Sequence, residues 1–356
     1  MRTTLDNTPT SLRPLAYALG GLLVAALALP GCGGTAPSQS TSASESASAS
    51  ATSESAGSTS SESSASTSSD AKTPEAPSSQ GIAANTETPA AQKLATDIQA
   101  LVDASGMQIS VSVLDLTTND AAFIQSDQKI ESASMIKVLI AETFLKQVAA
   151  GTYALDQIYT LQDADIVGGT GSLQSQGAGA EVTYKDLLHK MISESDNVAT
   201  NVLITLCGMD KVNEEADALG LKHTELNRKM MDTEAAAAGR ENYTCADDLT
   251  VLFKMVYDDK FVNPQMSAVM REALEAQEDN DCISKGLPAE VTFAHKTGSL
   301  ATVRHDGGIV EGDKPFVIVT LCGGEGFNEQ GAQTTMASIG QVAYSNIVAP
   351  TTKAVA

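Results

Sequence analysis

From Pro89 onward the apolar positions recur with the periods of regular secondary structure. Leu94, Ile98 and Leu101 share one face of a helical wheel, which predicts a helix over 89–104. In Ile109-Ser-Val-Ser-Val-Leu-Asp-Leu apolar and polar residues alternate, the pattern of a half-buried strand. A second strand over 121–124 follows a turn at 118–120. The middle of the chain is helical. Residues 134–150 are densely apolar and stop at Gly151, a residue that readily takes the left-handed turn closing a helix. Thr183 with Asp186 three positions on reads as a capping box for a helix running to 192. Further helices are expected over 198–206, 211–219, 246–257 and 264–276. Strand patterns return at 291–294, 308–310 and 316–321, and a helix over 332–348 closes the chain. Strands at both ends with helices between predict an α+β domain. Its first and last helices would cover one antiparallel sheet, and an all-helical lobe would be inserted between the strands. A cleft between the two lobes is the expected place for a site.

The pattern before Pro89 is different in kind. Arg2 and Arg13 flank the start of an apolar run over 15–29, followed by Leu29-Pro-Gly-Cys32, the layout of a secretory signal peptide over 1–32. The run is short for a membrane span, and an uncleaved anchor helix is the alternative. Residues 33–88 are Ser, Ala, Thr and Pro with scattered acidic residues and no aromatic, too little apolar surface to offset the entropy of ordering. They read as a disordered tether of roughly 40 Å mean reach. That leaves 89–352 as the folded domain. The Leu-Pro-Gly-Cys ending resembles the lipobox of bacterial lipoproteins. The resemblance implies that Cys32 is acylated as the mature N-terminus and anchors an exported protein at the extracytoplasmic face of a bacterial membrane.

A formal net charge of −22 repels a phosphate backbone, so nucleic acid is excluded as a partner. Besides Cys32 there are four cysteines, with no Cys-x-x-Cys pair or Cys/His cluster, so no metal site is expected. No motif calls for a cofactor either. Cys245 and Cys282 stand in polar, loop-like surroundings and are the first candidates for a disulfide, whereas Cys207 and Cys322 lie in apolar runs as buried thiols would. A monomer is the default.

Three motifs carry chemistry. Ser134-Met-Ile-Lys137 opens a predicted helix, so the lysine, three residues on, shares a face with the serine and can take its proton, while the helix N-terminus offers amide donors for an oxyanion. Ser126-x-x-Lys129 has the same spacing but lies in a polar stretch with no helix behind it. Ser195-Asp196-Asn197 sits in a break between two predicted helices. There a second hydroxyl can relay a proton and an amide can orient a substrate, although all three residues also suit a helix N-cap. Lys296-Thr-Gly-Ser299 ends an apolar strand. It supplies a positive charge, hydroxyls for a carboxylate and a glycine that permits close approach.

Taken together and in this order, the motifs resemble those of the penicillin-recognising serine hydrolases, the class A β-lactamases and penicillin-binding proteins. Ser134 and Ser195 are 61 positions apart and Ser195 and Lys296 101, close to class A separations. The resemblance extends to Gly168–Gln174 and to the surroundings of Met191–Leu203. It implies that Ser134 attacks a β-lactam or stem-peptide carbonyl, with Lys137 as proton acceptor. Ser195 would shuttle a proton to the leaving nitrogen, helped by Lys296, while Asn197 holds a substrate amide. Thr297 and Ser299 would bind the substrate carboxylate, assisted by Arg304 or His305. The backbone amides of Ser134 and Ser299 would form the oxyanion hole. One element departs: the glutamate that activates the deacylating water in class A enzymes is missing. In His223-Thr-Glu-Leu-Asn-Arg-Lys-Met-Met-Asp232 its place falls to Met230 or, in another alignment, to His223. Asp232 and Glu234 are the nearby carboxylates, either substitutes or mere caps and solubilisers. Three readings therefore stand: a β-lactam hydrolase with slow deacylation, a cell-wall D-Ala-D-Ala peptidase or transpeptidase, and a non-catalytic wall-binding lipoprotein.

Overall fold

A computed structural model describes residues 82–348. The signal segment, Cys32, most of the tether and residues 349–352 lie outside the described residues. In chain order the elements are α1 (Pro89–Ser105), β1 (Gln108–Asp115), β2 (Ala121–Ile124), β3 (Ile130–Glu131), a 3₁₀ turn (Ala133–Ile136), α2 (Lys137–Ala149), β4 (Ile158–Thr160), α3 (Leu173–Gln176), β5 (Glu181–Thr183) and α4 (Tyr184–Ser193). There follow α5 (Asn197–Cys207), α6 (Met209–Ala218), α7 (Thr233–Ala237), β6 (Tyr243–Thr244), α8 (Ala246–Tyr257), α9 (Pro264–Glu275), β7 (Phe293–Leu300), β8 (Val303–Val310), β9 (Phe316–Gly323) and α10 (Glu329–Ile347). Local signals set several of these ends. Thr88 accepts the Ala91 amide and Pro89 opens α1, Gly106 closes it with φ 67°, and Gly151 ends the turn after α2 with φ 76°.

Five strands form one antiparallel sheet in the order β2-β1-β9-β8-β7, so the chain leaves the sheet after β2, builds the helical lobe and returns. Period-2 alternation splits the sheet residues between two cores. Ile109, Val111, Val113 and Ile318 pack under α1 and α10 with Ile98, Met336 and Ile339. Ile309, Val317, Val319 and Leu321 face the helical lobe, against residues such as Leu139 and Leu249. This is the α+β architecture the pattern predicts.

Three expectations are corrected. Residues 82–88, expected as the end of a disordered tether, pack on the sheet: Ile82 is buried with Leu114 and Ala121, and the Asn85 amide donates to the Asn119 carbonyl at 2.7 Å. The serine face of β1 is not half-exposed: Ser110 and Ser112 are buried because α8 covers them, and the Thr250 hydroxyl donates to Ser112 at 2.7 Å. Cys245 and Cys282 are not a disulfide, and all four described cysteines are buried free thiols. Cys245 caps α8 by accepting the Asp248 amide, and Cys282 accepts from Arg304 Nε at 3.0 Å. Each polar neighbourhood in sequence is a specific partner in space, and burial pushes these thiols up.

Candidate active site

The helix expected to open at Ser134 begins instead as the 3₁₀ turn Ala133–Ile136, entered through Ala133 at φ 44°. Lys137 follows Ser134 by three positions as the first residue of α2, and its amine bonds Ser195 and Asn197 rather than the Ser134 hydroxyl. Ser134 is half-buried and lines a cleft of about 800 Å³, while Lys137 is fully buried below it. A left-handed conformation at a residue with a side chain is sparsely populated and marks a site where the surroundings enforce geometry.

A second such residue is Ser195, at φ 55° in the break between α4 and α5. Lys137 Nζ donates to the Ser195 carbonyl at 2.7 Å, to Ser195 Oγ at 3.1 Å and to Asn197 Oδ1 at 3.1 Å. Lys296 Nζ reaches the same Ser195 Oγ at 3.0 Å and the Thr297 carbonyl at 2.7 Å. Two buried amines therefore converge on one hydroxyl. The break is held from below by Asp196, which accepts the Ala199 amide at 2.9 Å and the Leu173 amide at 2.8 Å. The glycine-rich loop over 168–171 covers it from above. Asn197 Nδ2 donates to the Gly168 carbonyl, and the Thr170 hydroxyl to that of Ser195 at 2.7 Å. A Cβ on Gly171 would stand 2.2 Å from the Asp196 carboxylate, so only glycine permits this approach.

The third motif lies within β7, which continues to Leu300 rather than ending before it. β7 is the edge of the sheet, so its outer backbone groups have no strand partner. That edge runs along the nucleophile turn: a Cβ on Gly298 would meet Ser134 N, Ala133 Cβ and Met135 Cγ at 3.2 Å each. Thr297, Ser299 and Arg304 line the cleft. His305 does not serve it. Its ring is fully buried and bonds the Glu131 carbonyl at 2.7 Å, and burial pushes it down to about 4.

Burial dominates the electrostatics. Lys137 is pushed well below the usual lysine range by desolvation and then by the Lys296 charge, with Asp196 opposing. Lys296 is pushed down to about 7 by desolvation, against the pull of Asp279 and Asp306. A buried lysine with a lowered pKa is a credible proton acceptor for a serine hydroxyl.

The question left open by the loop of 223–232 is answered by Asn201 of α5, which sequence reasoning missed. Its side chain accepts the Met230 amide at 2.8 Å and donates to the Met230 carbonyl at 3.0 Å. Met230 is thereby fixed in the cleft wall, whereas the His223 amide is tied to Asp248 away from it. Asp232 stands at the cleft but spends its carboxylate capping α7, accepting from Ala235 at 2.9 Å, and Glu234 is exposed. Among the described residues, the hydrogen-bond partners of Lys137 include no carboxylate. In the other Ser-x-x-Lys match, Lys129 pairs with Glu225 at 2.7 Å, and neither it nor Ser126 is among the residues lining the cleft.

With this geometry in place, the chain can be set beside known proteins. The model of the β-lactamase enzyme family matches residues 93–347. The β-lactamase L2 of Stenotrophomonas maltophilia is 25% identical over 268 residues, 73% of this chain and 88% of that one. Among solved structures, the β-lactamase of Sphaerobacter thermophilus is similar with a TM-score of 0.65 and 26% identity, covering 70% of this chain and 96% of its own. PBP-A is similar with a TM-score of 0.66 and 23% identity, covering 73% and 96%.

Proposed function

Because the chain belongs to the β-lactamase enzyme family, we propose that Ser134 opens β-lactam amides through an acyl-enzyme that the protein releases slowly. The chain is a serine hydrolase of the β-lactamase type. The observation that carries the mechanism is the convergence of Lys137 and Lys296 on Ser195 Oγ, in the cleft that Ser134 also lines. Lys137 in its neutral form takes the proton from Ser134 Oγ, and the oxygen attacks the carbonyl carbon. The developing oxyanion is met by the amides of Ser134 and Ser299, the latter on the free edge of β7. The proton returns through Ser195 Oγ to the leaving nitrogen, the C–N bond breaks, and an ester on Ser134 remains. Lys296, when charged, donates to Ser195 Oγ and so makes that hydroxyl a better proton donor to the leaving nitrogen. Asn197 positions a substrate amide, and Thr297 and Ser299 offer hydroxyls to the substrate.

Hydrolysis of that ester needs a base for water. Met230 occupies the wall where one would act, and a thioether is too weak an acceptor to activate water. The expected product is therefore a long-lived acyl-enzyme. Intact-protein mass spectrometry with benzylpenicillin tests this: one covalent equivalent should form and be absent from Ser134→Ala. No adduct on the unmodified protein would favour the non-catalytic wall-binding reading.

Met230 also supports a second reading, a peptidase or transpeptidase acting on peptidoglycan stem peptides, which β-lactams merely trap. A singly substituted form of the similar PBP-A has been captured as an acyl-enzyme complex with penicillin G. Release of D-alanine from a muropeptide would decide for it. We further propose an exported lipoprotein anchored through Cys32, supported by the lipobox-like Leu29-Pro30-Gly31-Cys32 and the tether behind it. Cys32→Ser should move the protein from the membrane to the soluble fraction; unchanged membrane retention would oppose the anchor.

A further inference from the structure

The groups that would receive a substrate carboxylate already hold one of the protein's own. Arg304 lines the cleft, yet its Nη2 donates to Asp279 Oδ1 at 2.7 Å, its Nε contacts Cys282 Sγ at 3.0 Å, and Glu329 stands 3.6 Å away. Burial pushes the Asp279 carboxyl up, but the Arg304 hydrogen bond and charge, the Asp281 amide and the Thr297 side chain outweigh it and hold it below the usual range. Asp279 thus occupies Arg304, the guanidinium that faces the expected anion position. Its own placement is built in. Gln277 Nε2 donates to the Ile192 carbonyl at 3.0 Å, the Glu278 amide to that of Ser193 at 3.1 Å, and the Asp279 amide to Gln277 Oε1 at 3.1 Å. These bonds tie the segment to the end of α4, beside Ser195.

From this geometry we propose that Asp279 is a specificity-determining residue: an internal carboxylate that fills the anion position and turns the cleft against acyl donors carrying a carboxylate beside the scissile amide. Donors with a neutral group at that place, an ester or an amide, meet no such competition. An anionic donor must displace Asp279 from Arg304 or bind beside a like charge. The side chain is 34% exposed, which leaves it a route into solvent when displaced. The inference rests on the proposed function for the identity of the cleft, and it makes benzylpenicillin, which carries such a carboxylate, a weakly held acyl donor rather than an excluded one.

The test measures non-covalent binding in the Ser134→Ala background by calorimetry, comparing benzylpenicillin with its methyl ester. The expected result is that the ester binds at least as tightly as the acid. Adding Asp279→Asn should then tighten binding of the acid tenfold or more and leave the ester within about twofold. A purely structural role for Asp279 would move both ligands together. The proposal is overturned if the acid already binds tenfold tighter than the ester with Asp279 present, if the substitution shifts both equally, or if it shifts neither. The comparison within Ser134→Ala alone stands even where the double variant folds poorly. Absence of a covalent adduct on unmodified Ser134 would undo the acylation reading and leave this binding comparison intact.

Discussion

Replacing Met230 by glutamate places a carboxylate at a point of the cleft wall now held by a thioether. The backbone is already positioned, because Asn201 holds both the amide and the carbonyl of residue 230 at 2.8 and 3.0 Å. Met230 is 8% exposed and lines the cleft. A glutamate has nearly the length of a methionine, so the exchange alters chemistry more than volume. Positioned general bases contribute about 10²–10⁴-fold, which corresponds to about 2.7–5.5 kcal/mol of barrier. The cost is a polar group in a mostly apolar setting, on the order of 1–3 kcal/mol. For a domain of this size that lowers Tm by about 2–12 °C. The assay isolates the benzylpenicilloyl protein and follows its decay by intact mass. Met230→Glu should shorten the adduct lifetime by at least a hundredfold relative to the unmodified protein, and Met230→Gln should not. If Met230→Glu folds and acylates normally but its adduct decays at the original rate, then residue 230 does not govern deacylation, and the reasoning is refuted.

Other outcomes follow from the same geometry. Lys137→Ala removes the proton acceptor and should slow acylation by about 10²–10⁴-fold while the fold is retained, as read by adduct formation and circular dichroism. Acylation requires Lys137 neutral and Lys296 charged, so its rate should rise as Lys137 loses its proton and fall as Lys296 does near pH 7, the two limbs belonging to a coupled pair. Lys296→Arg keeps its charge at every working pH and should abolish the falling limb, and a limb that persists would contradict that assignment. In α2, Glu142 is 2% exposed, and burial together with the Glu215 charge raises its pKa to about 8. Its stabilising proton is fully held below the carboxylate range of the unfolded chain, and the benefit is lost as pH rises toward 8, at up to about 1.4 kcal/mol per pH unit. Urea unfolding of Glu142→Gln should lack that slope between pH 5 and 8, and an unchanged slope would place its source elsewhere.

Periodicity alone identified most of the architecture, because the helices over 246–257 and 264–276 and the strand over 121–124 carry apolar residues at the spacing their packing requires. Where the reading fell short, the missing information was spatial. Ser110 and Ser112 look solvent-facing until α8 is laid over them. Cys245 and Cys282 look like loop residues until Asp248 and Arg304 arrive from 3 and 22 positions away. The three motifs were legible because each couples a local conformation to a short run of residues. Their supports were not: Thr170 above the break, Asn201 behind Met230 and Asp279 against Arg304 are single polar residues whose roles arise only from contacts distant in sequence, and the capping role of Asp196 was legible while its hold on Leu173 was not. The alignment of the 223–232 loop shows this most clearly, since the choice between Met230 and His223 turned on two hydrogen bonds from Asn201.

The most direct test of the central claim is the time course of the unmodified protein with benzylpenicillin, followed by intact mass after excess drug is removed. The account predicts a single adduct on Ser134 that persists for hours. An adduct that forms and vanishes within seconds would contradict it, because some other group of the cleft would then be activating water in spite of Met230.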